Sequence, residues 1–165
     1  MTPELRERAI AILANNQPDV LARIAATLSA RGFNIESISA NVTRNPAATK
    51  IIITLLTTPE TITKVIKHIA RLVDVLDVRR VRREPAVWRE LILARIALDA
   101  ALDPDRNAAL QSLLHSRGGK IISRDAAQTI VEFTGDRETV EDILRCLEAL
   151  GVEDLTRSGV VALER

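Results

Sequence analysis

At 165 residues, 47% hydrophobic and 27% charged, the chain has the composition of a soluble folded protein with one large domain or two small ones. A formal net charge of +1 leaves no global field to recruit nucleic acid or an anionic membrane. A single cysteine, Cys146, excludes an internal disulfide framework and suits a reducing cytosol, and with two Phe, one Trp and no Tyr the core must be aliphatic.

The charged start MTPELRERAI leads into only a short apolar run, unlike a signal peptide, and no apolar run approaches the ~20 residues that span a bilayer. A cytoplasmic, soluble protein is expected. Arg8 to Leu13 reads as a first strand. Val20, Leu21, Ile24, Ala25 and Leu28 then recur at helical spacing and make one apolar face. Pro18 suits the first helical turn, Asp19 the positive end of the helix dipole and Arg31 its negative end, with Gly32 as the stop. NIESISANV is a second strand, TRNPAAT supplies turn chemistry, and KIIITLLTT is a β-branched third strand. Thr58 caps a helix opened by Pro59, with Ile62, Val65, Ile66, Ile69 and Leu72 as its apolar stripe, and VLDVRRVR is a fourth strand.

After RREPAVWRE the same order recurs. LILARIAL is a strand, and Pro104 to His115 is a helix with Ala108, Leu110, Leu113 and Leu114 towards a core. KIIS and TIVEFT form a hairpin around RDAAQ, Arg137 to Leu150 is a helix, and VEDLTR or GVVALE closes the set. The expected fold class is α+β, two ferredoxin-like βαββαβ domains in tandem over residues 1–84 and 85–165. Helices cover one face of the first sheet. The run Ile51, Ile52, Ile53, Leu55 and Leu56 leaves apolar side chains on the other, which should meet the second domain or another subunit.

No catalytic constellation stands out. His68 and His115 read as surface helical residues, and Cys146 as a buried structural thiol with no base in sight. There is no P-loop, no GxGxxG after a strand and no metal-ligand spacing; SRGGKIIS reads as a turn into a strand. The arginines of RRVRREPAVWRE invite nucleic acid, since the ferredoxin-like unit is also the RNA-recognition architecture. That architecture stacks bases on aromatic residues of its central strands, and RAIAIL and KIIITLL have none.

The informative stretch is NNQPDVLARIAATLSARGFNIES, which places Asn16 before one helix and Asn34 after it. If the flanking strands are neighbours, both amides sit at one sheet edge. Free N–H groups at a helix start hold a carboxylate, and two Asn side chains read an α-amino and α-carboxylate pair. Equally, Asn16 caps the helix and Asn34 turns the chain. Both uses remain open on the residues alone.

The pattern N-x-x-x-x-L-x-R-I, followed by L-x-x-R-G-F-N-I-E-S, resembles the ACT domain of the small regulatory subunits of acetohydroxyacid (acetolactate) synthase. HIARLVDVLDV, VWREL and the tail RSGVVALE extend the likeness over nearly the whole chain. The resemblance implies a non-catalytic partner that binds a larger enzyme, raises its activity and confers feedback inhibition by a branched-chain amino acid, usually valine. No cofactor is expected on this chain; thiamine diphosphate, magnesium and FAD are expected on the catalytic large subunit. It also implies a homodimer through the ACT domains with the effector at the interface, contacted by Asn16, Asp19, Val20, Leu21, Asn34 and Ile35. No nucleic-acid or membrane partner is implied, and a free-standing ACT amino-acid sensor is the alternative. One departure stands at the helix start, where the family usually has Gly and this chain has Asp19. Asp adds a Cβ and a negative charge where the effector carboxylate is expected.

Overall fold

The computed structural model describes residues 5–98 and 102–164, so part of the charged N-terminal segment lies outside the described residues. The chain divides into two compact units, Met1–Val87 with Val160–Arg165, and Trp88–Gly159. The first runs β1 (Arg6–Asn15), α1 (Val20–Ser29), β2 (Ile35–Val42), β3 (Ala48–Thr57), α2 (Pro59–Ile69) and β4 (Val75–Val81). Its antiparallel sheet has the order β2-β3-β1-β4, the ferredoxin-like arrangement expected from the order of elements.

Strand alternation sends Ile10 and Ile12 of β1, with Ile51, Ile53 and Leu55 of β3, towards the helices. There they meet Val20, Ile24 and Leu28 of α1 and Ile62, Val65 and Ile69 of α2. Each such aliphatic side chain contributes roughly 1.5–3 kcal/mol when fully buried. α2 begins as its sequence demands: Thr58 Oγ1 accepts from the Thr61 N–H at 3.2 Å and Pro59 opens the first turn. Glu60 lies there too, its carboxyl held below the ordinary range by a backbone hydrogen bond and the Thr58 hydroxyl. α1 starts two residues later than expected, leaving Pro18 in the preceding turn. It ends with Gly32 at φ +70°, a value that glycine adopts without steric cost. Arg31 lies beyond the last turn and donates to the Thr27 carbonyl at 3.4 Å.

The sheet face away from the helices carries buried Ala9, Ala11, Ile52, Thr54 and Val81. The chain's own C-terminal segment crosses it. Ser37, on edge strand β2, bonds Thr54 across the sheet (Oγ to Oγ1, 2.7 Å) and accepts from the Val160 N–H at 3.4 Å. At the opposite edge, Arg79 on β4 pairs with Glu164 at 3.3 Å. The expected cover for this apolar face was a domain or a subunit; at least part of it is this strap.

The second unit runs β5 (Val87–Ala97), α3 (Pro104–Arg117), β6 (Lys120–Arg124), β7 (Gln128–Gly135), α4 (Arg137–Ala149) and β8 (Val152–Arg157), with strand order β6-β7-β5-β8. Of the two candidates for a closing strand, VEDLTR is the one next to β5 in this order, as β8, and the tail forms a further short strand, β9 (Val161–Leu163). SRGGKIIS is the turn into β6: Gly118 sits at φ +67°, and a Cβ on Gly119 would collide with the Phe133 ring. VWREL and RSGVVALE meet in space. The Glu90 carboxylate, nearly buried, accepts two bonds from Arg157, both 2.8 Å, and Leu91 and Ser158 exchange hydrogen bonds at 3.0 Å. Three side chains expected in the cores are exposed or nearly so. Leu21 is 40% exposed, being one position off the Val20–Ile24–Leu28 stripe; Ala108 and Cys146 likewise fall off the stripes Leu110–Leu113–Leu114 and Val140–Ile143–Leu147.

Candidate functional site

Of the four helices among the described residues, three are closed at their N-termini by a side chain: α2 by Thr58, α3 by Asp103 and α4 by Asp136. α1 is not. Its N-cap residue, Asp19, holds φ 67° and ψ −5°, a left-handed conformation, and its carboxylate makes no capping bond. The first helical hydrogen bond runs from the Arg23 N–H to the Asp19 carbonyl at 2.9 Å. The N–H groups of Val20, Leu21 and Ala22 therefore point out of the helix end without an acceptor among the described residues. Asp19 explains the family's usual glycine in physical terms, because the position requires positive φ.

Beside this helix start lies a cavity of about 250 Å³, lined by Asn15, Asn16, Gln17, Val20, Leu21, Ala40, Val42, Thr49 and Ile51. Asn16 holds its polar rim in place. Its Nδ2 donates to the Pro46 carbonyl at 2.9 Å, its Oδ1 accepts from the Thr49 hydroxyl at 3.0 Å, and its backbone N–H donates to the Ala47 carbonyl at 2.8 Å. Asn16 is thus not the helix cap. It ties the end of β1 to the β2–β3 turn and keeps one N–H and one lone pair for a further partner.

Asn34 lies elsewhere. It donates to the Glu36 carboxylate at 3.3 Å and lines a second cavity, about 330 Å³, with Arg31, Gly32, Phe33, Thr57 and Thr58. The expectation of two amides at one sheet edge fails because β3 lies between β1 and β2, and α1 separates the amides by about 15 Å of helix. Ile35 is half-buried against the first core. Within one chain, then, Asn16, Val20 and Leu21 share a cavity, Asp19 flanks it, and Asn34 and Ile35 stand apart. Thr49, Ala40 and Val42 were missed by sequence reading. Only the strand order brings them to the α1 start, and no local signal announces it.

The remaining candidates do not assemble chemistry. His68 is half-buried on α2, and burial with nearby Arg31 and Arg71 holds it below its ordinary 6.5. It is neutral at physiological pH. His115 is exposed on α3. Among the described residues no group of three or more His, Cys, Asp or Glu side chains could hold a metal, and no helix is long and apolar enough to cross a membrane.

Two family models cover the chain. One, an AHAS small subunit-like ACT domain, matches residues 10–77; the other, the small subunit of acetolactate synthase, matches residues 89–165. The chain is similar to the acetolactate synthase small subunit of Mycobacterium leprae, 31% identical over 98% of this chain and 93% of the relative. It is also similar to a probable acetolactate synthase small subunit of Archaeoglobus fulgidus, 30% identical over 96% and 97%. The crystal structure of the acetolactate synthase small subunit from Thermotoga maritima superimposes with a TM-score of 0.86 at 31% identity, covering 98% of both chains. At this identity over nearly its whole length, the chain belongs to the acetolactate synthase small subunit family, with an ACT domain as its first unit.

Proposed function

We propose that this chain is the regulatory, non-catalytic subunit of an acetolactate synthase. It docks on a larger thiamine-diphosphate-dependent catalytic subunit and raises that subunit's turnover; thiamine diphosphate, magnesium and FAD belong to that partner. The observation that carries this reading is the end-to-end match to relatives named as small subunits, nearly complete on both chains.

The ACT unit serves as the sensor, and its ligand is a small aliphatic α-amino acid. The three open N–H groups of α1 receive the carboxylate. Asn16 and Thr49 supply oxygen for the ammonium, and Val20, Leu21, Ala40, Val42 and Ile51 supply an apolar wall for a branched side chain. Valine fits this division of polar and apolar lining. Asp19 opposes it electrostatically and favours a ligand, or an affinity, different from that of relatives with glycine.

A homodimer completes the site. β2 is an edge strand whose outer backbone edge has no strand partner among the described strands. Pairing it antiparallel with its own copy about its midpoint sets Asn34 of one copy level with Thr43 of the other. Asn34 then approaches the second copy's cavity at Val42. Titrating the purified chain into the matching large subunit while following acetolactate formation tests the reading. Turnover rises and the two chains co-elute if it is right; unchanged turnover with separate elution refutes it. The chain alone should form no acetolactate, and a free-standing sensor would bind amino acid without touching the enzyme.

A further inference from the structure

The dimer reading uses one edge of the first sheet and leaves the other, β4, whose outer backbone groups have no strand partner among the described strands. β4 is rich in arginine, and its two faces are treated differently. On the face away from the helices, Arg79 pairs with Glu164 at 3.3 Å, and Arg83, just past the strand, pairs with Glu7 at 3.6 Å. On the helix-facing side, Arg80 lies opposite Ile10 in the register, and alternation puts Arg8 of β1 and Arg82 on the same side. Arg80 is half-buried there and forms no ion pair among the described residues. Burial, Arg8 and Arg82 all press its guanidinium below the ordinary arginine range, although it stays charged at neutral pH. Arg8 donates to the Thr57 carbonyl at 3.0 Å. From α2, Glu60 answers Arg8, and Lys64 adds a further positive charge beside it. Like charges are therefore gathered at an open strand edge, and Arg80 among them has no carboxylate partner among the described residues.

We propose that this edge, with Arg8, Arg80 and Arg82 beside it, receives an acidic extended segment of the catalytic subunit. The proposal rests on the reading that the chain works by docking on a larger enzyme. An added strand satisfies the free backbone edge of β4. Its side chains recur every second residue, about 6.6 Å apart, so a carboxylate on its helix-facing side comes level with Arg80. Desolvated at such a contact, Arg–carboxylate pairs form strong bidentate hydrogen bonds. A different role for edge arginines is to repel stray strands and prevent self-association. The two roles differ in what the loss of Arg80 does.

The test measures binding of the full chain to the large subunit by calorimetry across salt concentrations, for wild type, Arg80→Glu, Arg80→Gln and an exposed control, Arg71→Glu. Arg80→Glu should weaken docking at least about ten-fold at low salt, and the gap should close near 1 M, where the screening length is about 3 Å. Arg80→Gln should weaken docking less and leave the melting temperature of the isolated chain unchanged or higher, since it removes repulsion without breaking a pair. Arg71→Glu should dock as wild type. Salt-insensitive docking by wild type, or undiminished docking by Arg80→Glu, overturns the proposal while the regulatory reading stands. Intact docking with new self-association of Arg80→Gln assigns the arginines to edge protection instead. Failure of the wild type to dock at all refutes the regulatory reading and this proposal together.

Discussion

Asp19→Gly separates strain from charge at the start of α1. A left-handed φ costs an ordinary L-residue roughly 1–2 kcal/mol, less for Asp, and glycine relieves it. Against that, glycine widens the unfolded ensemble by about 0.4–1 kcal/mol, and the lost carboxylate gives up about 0.3–1 kcal/mol with the helix dipole. These terms nearly cancel. The melting temperature of Asp19→Gly should stay within about 3 °C of wild type, whereas Asp19→Ala keeps the strain, loses the charge and melts lower.

Ligand affinity should move much more. Asp19 is exposed, so its carboxylate acts through an effective dielectric between about 20 and 80. At about 6 Å from a bound carboxylate, the repulsion is about 0.7–2.8 kcal/mol. Valine should therefore bind Asp19→Gly about three- to a hundred-fold more tightly, and the gain should shrink as salt is added. Calorimetric titration with valine, leucine and isoleucine measures both. Tight valine binding by wild type, unaltered in Asp19→Gly, would show that the Asp19 carboxylate points away from the ligand.

The Glu90–Arg157 clasp is bidentate and its carboxylate nearly buried, so Arg157→Met should destabilise the second unit by roughly 3 kcal/mol, read as a lower urea midpoint. Ending the chain at Gly159 removes buried Val160, its bond to Ser37 and the Glu164 pair; the first unit should lose about 2–3 kcal/mol, which a denaturant melt of full and shortened chains detects. The Asp125 carboxyl is held below its ordinary 3.8 by the N–H groups of Ala127 and Gln128 and by the Gln128 side chain. As pH falls the unfolded chain takes up that proton first, so the stabilisation is full above about pH 4 and lost as pH drops through the folded value. Asp125→Asn should flatten the acid side of the stability profile.

Fold and family were legible because they rest on local signals that repeat. The periodic stripes of Ile24–Leu28 and Ile62–Val65–Ile69, the Thr58–Pro59 cap and the Gly32 stop each fix an element without reference to the rest of the chain. Errors gathered where facing, not element type, was at issue. Leu21 and Cys146 are apolar residues one step off a stripe, and a helical wheel does not say how wide the buried arc is. The site was half legible. Asn16 stands out by type and place, but its partners Thr49 and Pro46 reach it only through the β2–β3 turn, some thirty residues on. The strap over the far face was illegible for a similar reason: Val160 meets Ser37 after more than a hundred intervening residues.

That Asn16 and Asn34 lie at opposite ends of α1 makes the dimer a sharp claim, because an amide pair can then meet only across two copies. Asn16→Ala should unseat the Thr49 hydroxyl and lose the ligand's polar contact, and Asn34→Ala should lose the contact from the other side. Each variant alone should bind effector weakly. Mixed in equal amounts and allowed to exchange, half of the dimers contain one copy of each. Every mixed dimer has one cavity with both amides intact and one with neither. About a quarter of the wild-type binding capacity should therefore return on mixing, at wild-type affinity. A site built within a single chain allows no such recovery, since every cavity keeps its defect whatever its neighbour. Calorimetry of the mixture, with size exclusion confirming exchange, reads the stoichiometry directly. Zero recovery in exchanged dimers would remove Asn34 from the site and leave the cavity at α1 to act alone.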